Sequence, residues 1–291
     1  MKKKQAKVAT FSIVAFDPET QELGIAVQSK FLGVGAVVPW AKAGVGAIAT
    51  QSYANTAFGP DGLALLEQGL SPEAVVHKLV EADEDQALRQ FAVMNANGEA
   101  HAFTGEECYD YAGHKLGKYC SAQGNILVSE DTVTALVETF EQTEGSLAER
   151  LLEALDKAQD AGGDSRGKQS AAILVVQEEG GYGGYNDRKL DLRVDDHKEP
   201  IKELIRLHDL HTLYFSRPSE DSLLKLEGDV LSEVQDLLQK EGILAERDTS
   251  YSDHVQEALQ TYFMRENFEE RWQEDDRLDQ AILTYMRATI K

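Results

Sequence analysis

The stretch that decides how this chain folds is Thr10-Phe11-Ser12-Ile13-Val14-Ala15-Phe16, then Asp17-Pro18-Glu19-Thr20-Gln21-Glu22, then Leu23-Gly24-Ile25-Ala26-Val27-Gln28-Ser29. Two runs rich in β-branched and aromatic residues flank an Asp-Pro turn, which predicts an antiparallel hairpin. Thr10 then heads the first strand, and Gln28-Ser29-Lys30 closes the second. Outward from the hairpin, further strands are predicted at 36–40, 45–50 and 91–95, and at 101–103 after the Asn97-Gly98 turn. The run 170–177, with Ala-Ala-Ile-Leu-Val-Val at its centre, reads as a strand buried on both faces. Helices are predicted at 59–68 and at 72–82, the second with Ser71 as N-cap and Pro72 at its first position. A second pair is predicted at 130–142 and 147–161, with Ser146 as cap. The order is strands, helix pair, strands, helix pair, strand. It fits an α+β fold of four layers, with helix pairs outside two packed sheets.

Composition narrows the function. The 291 residues carry 51 acids against 29 Lys and Arg, a net charge of -22. Such a surface repels phosphate backbones and anionic lipid, so nucleic acid and membrane are not expected partners. Hydrophobic content of 42% with 27% charged residues is ordinary for a folded globular chain. No run of 18 uncharged apolar residues is present, and Lys7 interrupts any signal-like start, so a cytoplasmic location is expected. Cys108 and Cys120 are too few for a disulfide framework and read as reduced and structural.

The composition breaks near Ser216-Arg217-Pro218-Ser219. Residues 1–218 hold 21 of the 23 glycines and all six prolines, while 219–291 carry 18 acids and 8 bases. The domains expected are a leader over 1–9, a first domain over 10–215, and a small all-α tail over 219–291. In the tail, Pro218-Ser219-Glu220-Asp221 reads as a helix start. Leu223, Leu224, Leu226, Val230, Leu231, Val234, Leu237 and Leu238 follow at helical spacing up to Gly242. Val255, Leu259, Tyr262 and Phe263 open a second helix, and Leu278, Ile282, Leu283, Tyr285 and Met286 a third.

No phosphate loop, paired-histidine zinc motif or Gly-x-Ser-x-Gly elbow occurs, and no cofactor is expected. Gly180-Gly181-Tyr182-Gly183-Gly184 lacks the lysine of a phosphate loop and reads as a mobile loop. Asp195-Asp196-His197 has adjacent side chains on opposite sides of an extended segment, so no metal site is expected there. Thr10 is the informative residue. A threonine hydroxyl attacks a carbonyl only when a base takes its proton, and a freed α-amine on the same residue supplies that base. This amine titrates near about 7.7–8.0, so a useful fraction is neutral at pH 7. The chain must then be cut between Ala9 and Thr10. A threonine heading a strand is otherwise an ordinary β-former.

Several runs resemble an uncharacterised prokaryotic family assigned to the Ntn-hydrolase (N-terminal nucleophile) superfamily. They are Thr10–Ala15, Gln28-Ser29-Lys30-Phe31, 38–47 and Ala49-Thr50-Gln51. Gln123-Gly124-Asn125, 161–172 and 191–197 complete the set, and together they span about residues 10–212. The tail is similar to the peptidoglycan-binding-like domain some members carry. The resemblance implies an α-β-β-α sandwich with the mature N-terminal residue, Thr10, as nucleophile. Proteasome-like members keep an Asp at the Gln28 position, so this chain departs from their charge network. Lys30, or Lys42, would instead steady the alkoxide and hold the amine neutral. The superfamily often keeps an Asp that orients the terminal amine, a role the resemblance carries to Asp164, followed by Arg166. Gln28, Ser29, Gln51, Ser52, Asn55, Asn125 and Arg166 would bind substrate or form an oxyanion hole.

Two functions compete. In the first, an Ntn-type hydrolase cleaves an amide or related C–N bond in a small or peptide-like substrate. In the second, the sandwich is a non-catalytic scaffold and the tail recognises a glycan or protein partner, with Tyr251, Tyr262, Phe263 or Trp272 stacking on sugar. Those rings equally suit a helical core. A wall ligand conflicts with the missing export signal, which favours a cytoplasmic partner for the tail. The Trp40 region suggests self-association into a homo-oligomer.

Overall fold

The computed structural model describes residues 10–291; the leader 1–9, with the expected cut before Thr10, lies outside the described residues. The chain divides into two compact units, one ending at Arg206 and the other running from Leu207 to Lys291.

The first unit opens with β1 (Thr10–Asp17) and β2 (Glu22–Ser29), the predicted hairpin. There follow β3 (Pro39–Lys42), β4 (Gly46–Ser52), α1 (Phe58–Glu67), α2 (Pro72–Glu81), β5 (Arg89–Asn95) and β6 (Ala100–Thr104). Next come β7 (Gly113–Gly117), β8 (Cys120–Asn125), α3 (Asp131–Gln142), α4 (Leu147–Asp160), β9 (Ser170–Val176) and β10 (Arg188–Val194). Then α5 (Pro200–Phe215) carries the chain across the division.

One antiparallel sheet has the order β10-β9-β2-β1-β8-β7, and the other β3-β4-β5-β6. Side chains alternate between faces along each strand. Val14 and Phe16 of β1 and Leu23, Ile25 and Val27 of β2 therefore meet Ala47 and Ala49 of β4 and Ala92 and Met94 of β5 in one apolar cluster between the sheets. The opposite face of the four-stranded sheet, with Ile48, Phe91 and Val93, packs on α1 and α2. The opposite face of the six-stranded sheet packs on α3 and α4. Two glycines allow the helices to lie close: a Cβ at Gly59 would sit 2.2 Å from the Trp40 ring, and one at Gly24 2.5 Å from Leu151. Half-buried Trp40 thus packs inside its own chain and donates Nε1–H to the Val37 carbonyl. The strand expected at 36–40 instead begins at Pro39, because Val34–Ala36 forms a single 3-10 turn. The loop at 180–184 contains another 3-10 turn, between β9 and β10.

The second unit adds β11 (Leu223–Lys225), α6 (Gly228–Lys240), α7 (Asp253–Glu266), β12 (Arg277–Asp279) and α8 (Gln280–Thr289). It is helical but not all-α. The helix expected from Ser219 begins only at Gly228, because Leu223–Lys225 pairs with Arg277–Asp279. Tyr262 and Phe263 are buried in its core, while Tyr251 and Trp272 are partly buried against it. No helix of the described residues is long and apolar enough to cross a membrane.

Arg271 holds this unit together. Its Nη2 and Nε donate to the carbonyls of Thr212 (2.7 Å) and Leu213 (2.5 Å), and Nη1 pairs with Asp279. The other Asp279 oxygen accepts from Ala281 N as the N-cap of α8. One guanidinium thus satisfies carbonyls in the last turn of α5 and fixes the start of α8. A lysine has no planar fork to serve three acceptors at once. Arg271→Lys is expected to lower the stability of this unit by about 2 kcal/mol, read as a lower urea midpoint at unchanged slope. An unaltered midpoint would show that the fork is dispensable.

Candidate functional site

The inward face of β1 changes character along its length, from Val14 and Phe16 to Ser12 and Thr10. Antiparallel register sets Thr10 opposite Ser29 on β2 and Asn125 on β8, and Ser29 opposite Ser170 on β9. Directly paired residues share a face, so Ser170, Ser29, Thr10 and Asn125 form one polar row across four strands. All four are buried, Thr10 at 0% exposure. The next row holds Ser12, Gln123 and, on the edge strand β7, His114.

The facing sheet answers with Gln51 at the end of β4 and Gln90 near the start of β5. Gln51 Nε2 donates to the Thr10 carbonyl (3.4 Å) and to Gln90 Oε1 (2.8 Å), while Gln51 Oε1 accepts from Ser12 Oγ (2.6 Å). Asn125 Nδ2 also donates to Gln90 Oε1 (2.9 Å). Gln123 Nε2 donates to Ser12 Oγ (2.7 Å) and accepts at Oε1 from Ser121 Oγ (3.2 Å). Buried polar groups left without partners cost about 1–3 kcal/mol each, so this connected set holds this end of the two sheets as a unit.

The loop between α4 and β9 closes the same end. The Asp164 carboxylate accepts from Lys30 N (2.9 Å) and Arg166 N (2.9 Å), and pairs with the Arg166 guanidinium (3.0 Å). Asp164 also bridges to Leu127, and Ser165 N donates to the Ile126 carbonyl. The exits of β2 and β8, the two strands flanking Thr10, are therefore tied to one loop.

The predicted residues separate on these contacts. Thr10, Ser29, Gln51 and Asn125 come together. Asp164 and Arg166 lie beside them, but the carboxylate bonds to the backbone of Lys30 and to Arg166. The Lys30 ammonium is exposed and donates to the Lys168 carbonyl (3.2 Å). Lys42 pairs with Glu67 at the surface. Gln28 points to the opposite face of β2 from Ser29. It is fully buried there, and neither its Oε1 nor its Nε2 has a partner among the described residues. Ser52 turns away at a left-handed φ of 67° and bonds the Cys108 thiol. Asn55 caps its own loop and donates to Asp83 (3.2 Å), which Arg89 also grips (2.7 Å). Burial opposes ionisation of Asp83. The bonds from Arg89, Asp85 N and Asn55 outweigh it and hold that carboxyl below its ordinary value.

Neither cysteine is suited to attack a carbonyl. Burial pushes the Cys120 thiol up to about 12, with Glu141 adding to it, and burial also raises Cys108; a protonated thiol is a poor nucleophile. At 195–197, Asp196 accepts from Gln169 (3.1 Å) and His197 Nδ1 accepts from Glu199 N (3.1 Å). Sequence reasoning missed Ser12, Gln90, Thr104 and His114. Their only local signal is a polar residue on an inward-facing alternation.

Three comparisons bear on this site. Residues 10–204 match the model of a family of unknown function, DUF1028, and residues 214–286 match one described as "Putative peptidoglycan binding domain". Among solved structures, the crystal structure of a Silicibacter pomeroyi protein described under the same DUF1028 model is 32% identical. The match covers 77% of this chain and 92% of that chain, with a TM-score of 0.64. A search of curated proteins finds no match.

Proposed function

We propose, for a chain that belongs to the DUF1028 family of unknown function, hydrolysis of an amide or related C–N bond by a threonine nucleophile at the head of the first strand. The observation that carries this reading is the position of Thr10. It begins a strand held on both sides, at the one end of the inter-sheet space where polar side chains replace the apolar cluster. The succession of helix pair, sheet, sheet and helix pair supports placing the first unit among Ntn-type sandwiches, in which the nucleophile occupies this position.

The chemistry follows from the residues. Cleavage of the Ala9–Thr10 bond frees an α-amine, which takes the proton from Thr10 Oγ as that oxygen attacks the substrate carbonyl carbon. The tetrahedral oxyanion needs donors. Asn125 has a second amide hydrogen beyond the one given to Gln90, whereas both Gln51 hydrogens are engaged by the Thr10 carbonyl and Gln90. The amine returns its proton to the departing nitrogen, the C–N bond breaks, and water then hydrolyses the ester on Thr10 to release the acid. Asp164, by holding the exits of β2 and β8, fixes the walls of this space. Residues 214–286 suggest a glycan partner for the second unit.

Intact-mass measurement of the purified full chain tests the first step. The expected polypeptide begins at Thr10. Turnover by protein that still carries Met1 would overturn the mechanism.

A further inference from the structure

Gln90 fixes the direction of every bond in the buried polar set. Its Nε2 faces two backbone carbonyls, Gly124 O (2.7 Å) and Gly113 O (3.2 Å), which only accept. Its Oε1 must then be what Gln51 and Asn125 meet, so each presents an N–H there. Gln51 is left with its oxygen toward Ser12, which must donate; Ser12 in turn accepts from Gln123, whose oxygen accepts from Ser121. Outward from Gln90, Nε2 also donates to Thr104 Oγ1 (3.0 Å), so one of its two hydrogens is shared among these three acceptors, and Thr104 Oγ1 lies 2.9 Å from His114 Nδ1. A hydroxyl that accepts from Gln90 has its own hydrogen to give, and His114 Nδ1 is the acceptor in reach. Donation runs one way from Ser121 through Gln123, Ser12, Gln51, Gln90 and Thr104, and ends on the imidazole of the edge strand β7.

We infer that His114 is a positioning residue for the Thr10 site, whose neutral, Nε2-protonated form terminates this chain and thereby holds Gln51 against the Thr10 carbonyl. Amide groups do not pass protons along such a chain at ordinary pH, so orientation is what it transmits. Protonation turns Nδ1 into a donor. Thr104 Oγ1 then faces two donors, from His114 and Gln90, and its own hydrogen loses its acceptor. Its oxygen has lone pairs for both, but the hydroxyl must turn its hydrogen away to receive them, and that turn displaces the contact with Gln90, whose Oε1 anchors both Gln51 and Asn125.

The surroundings favour the neutral ring. Burial, and then the nearby imidazole of His101 on β6, hold His114 below its ordinary value. His101 itself lies 6.3 Å from His77 of α2. Tyr111 approaches the backbone at Gly113. From α3, Glu138 is paired with Lys115 (3.5 Å), and Glu141 accepts from Lys118 N (2.6 Å).

The consequence for turnover rests on the hydrolase reading; the coupling itself does not. NMR on the full chain with labelled histidine and glutamine side chains tests it. The expected result is a neutral His114 with hydrogen on Nε2, titrating at a midpoint below an ordinary imidazole, with Gln90 and Gln51 amide signals shifting at that same midpoint. Thr104→Val is expected to abolish the Gln51 shift while His114 still titrates, and Thr104→Ser to restore it. A neutral ring protonated on Nδ1, Gln51 signals that stay fixed while wild-type His114 titrates, or a shift that survives Thr104→Val would each overturn the inference. If the valine variant does not fold, the wild-type tautomer and titration decide the question. Protein retaining Met1 would sink the hydrolase reading and leave this coupling standing.

Discussion

Replacing Gln90 with leucine is expected to destabilise the first unit by about 3–5 kcal/mol, although leucine is close in size and the site is fully buried. The side chain serves five groups at once. Two are the Gly113 and Gly124 carbonyls, one is Thr104, and two are the amides of Gln51 and Asn125. An apolar replacement leaves these facing one another without water. A stranded buried group costs about 1–3 kcal/mol, and costs within one network are less than additive. Gain of apolar surface offsets about 1 kcal/mol of this. Gln90→Glu discriminates the cause. An ionised carboxylate would set an acceptor oxygen against the carbonyls where Gln90 has Nε2, whereas a protonated one donates a hydrogen there. Its folded carboxyl is therefore raised above the unfolded value. The deficit should be largest at neutral pH and shrink as pH falls into the acid range. The chain has two tryptophans, one in each unit. Urea unfolding followed by fluorescence in a Trp272→Phe background thus reports the first unit alone. A loss below about 1 kcal/mol for Gln90→Leu would mean that these groups find other partners.

The part of this network that was legible in the sequence is instructive. The β1–β2 hairpin, both helix pairs and β9 declare themselves because each buries an apolar face or stripe whose period survives in the sequence. β7 and β8 do not. Gly113-His114-Lys115-Leu116-Gly117 and Cys120-Ser121-Ala122-Gln123-Gly124-Asn125 carry few β-formers, because the inward face here is the polar one and bonds replace apolar packing. The same reversal hides Ser12 and Gln90, which read locally as exceptions to alternation. In the tail, Leu223 and Leu224 have the spacing of a helix, yet pairing with Leu278 and Asp279 draws them into a strand; such a distant partner leaves no local trace. Placement just after β2 and just ahead of β9 was readable for Lys30 and Asp164, but direction was not. The lysine contributes its backbone N–H to the aspartate and sends its ammonium to the surface.

That distinction bears on which substitutions should silence the proposed hydrolysis. If the amine of Thr10 is the base, no lysine is needed beside it, and Lys30→Met should change turnover little, since its ammonium only meets the Lys168 carbonyl. Thr10→Val keeps the β-branched shape that packs between Ser29 and Asn125 and removes only the hydroxyl. With the nucleophile gone, turnover of an amide substrate identified by screening is expected to fall at least about a thousand-fold. The unfolding free energy from urea should fall by only about 1 kcal/mol, the ordinary value of one hydroxyl's bonds. Thr10→Ser retains oxygen and amine but loses the methyl that fixes the rotamer, so it should keep a measurable, lower rate. A Thr10→Val variant that turns over substrate as wild type, with its mass showing the same N-terminus, would transfer the chemistry to another group. Ser12, Ser29 and Ser170 have the nearest hydroxyls in the polar rows. Ser12 is already committed to Gln51, and Ser170 donates to the Phe31 carbonyl. A hydroxyl that spends its hydrogen on a buried acceptor has no base to release it, whereas the head of β1 brings its own α-amine once the chain is cut before it.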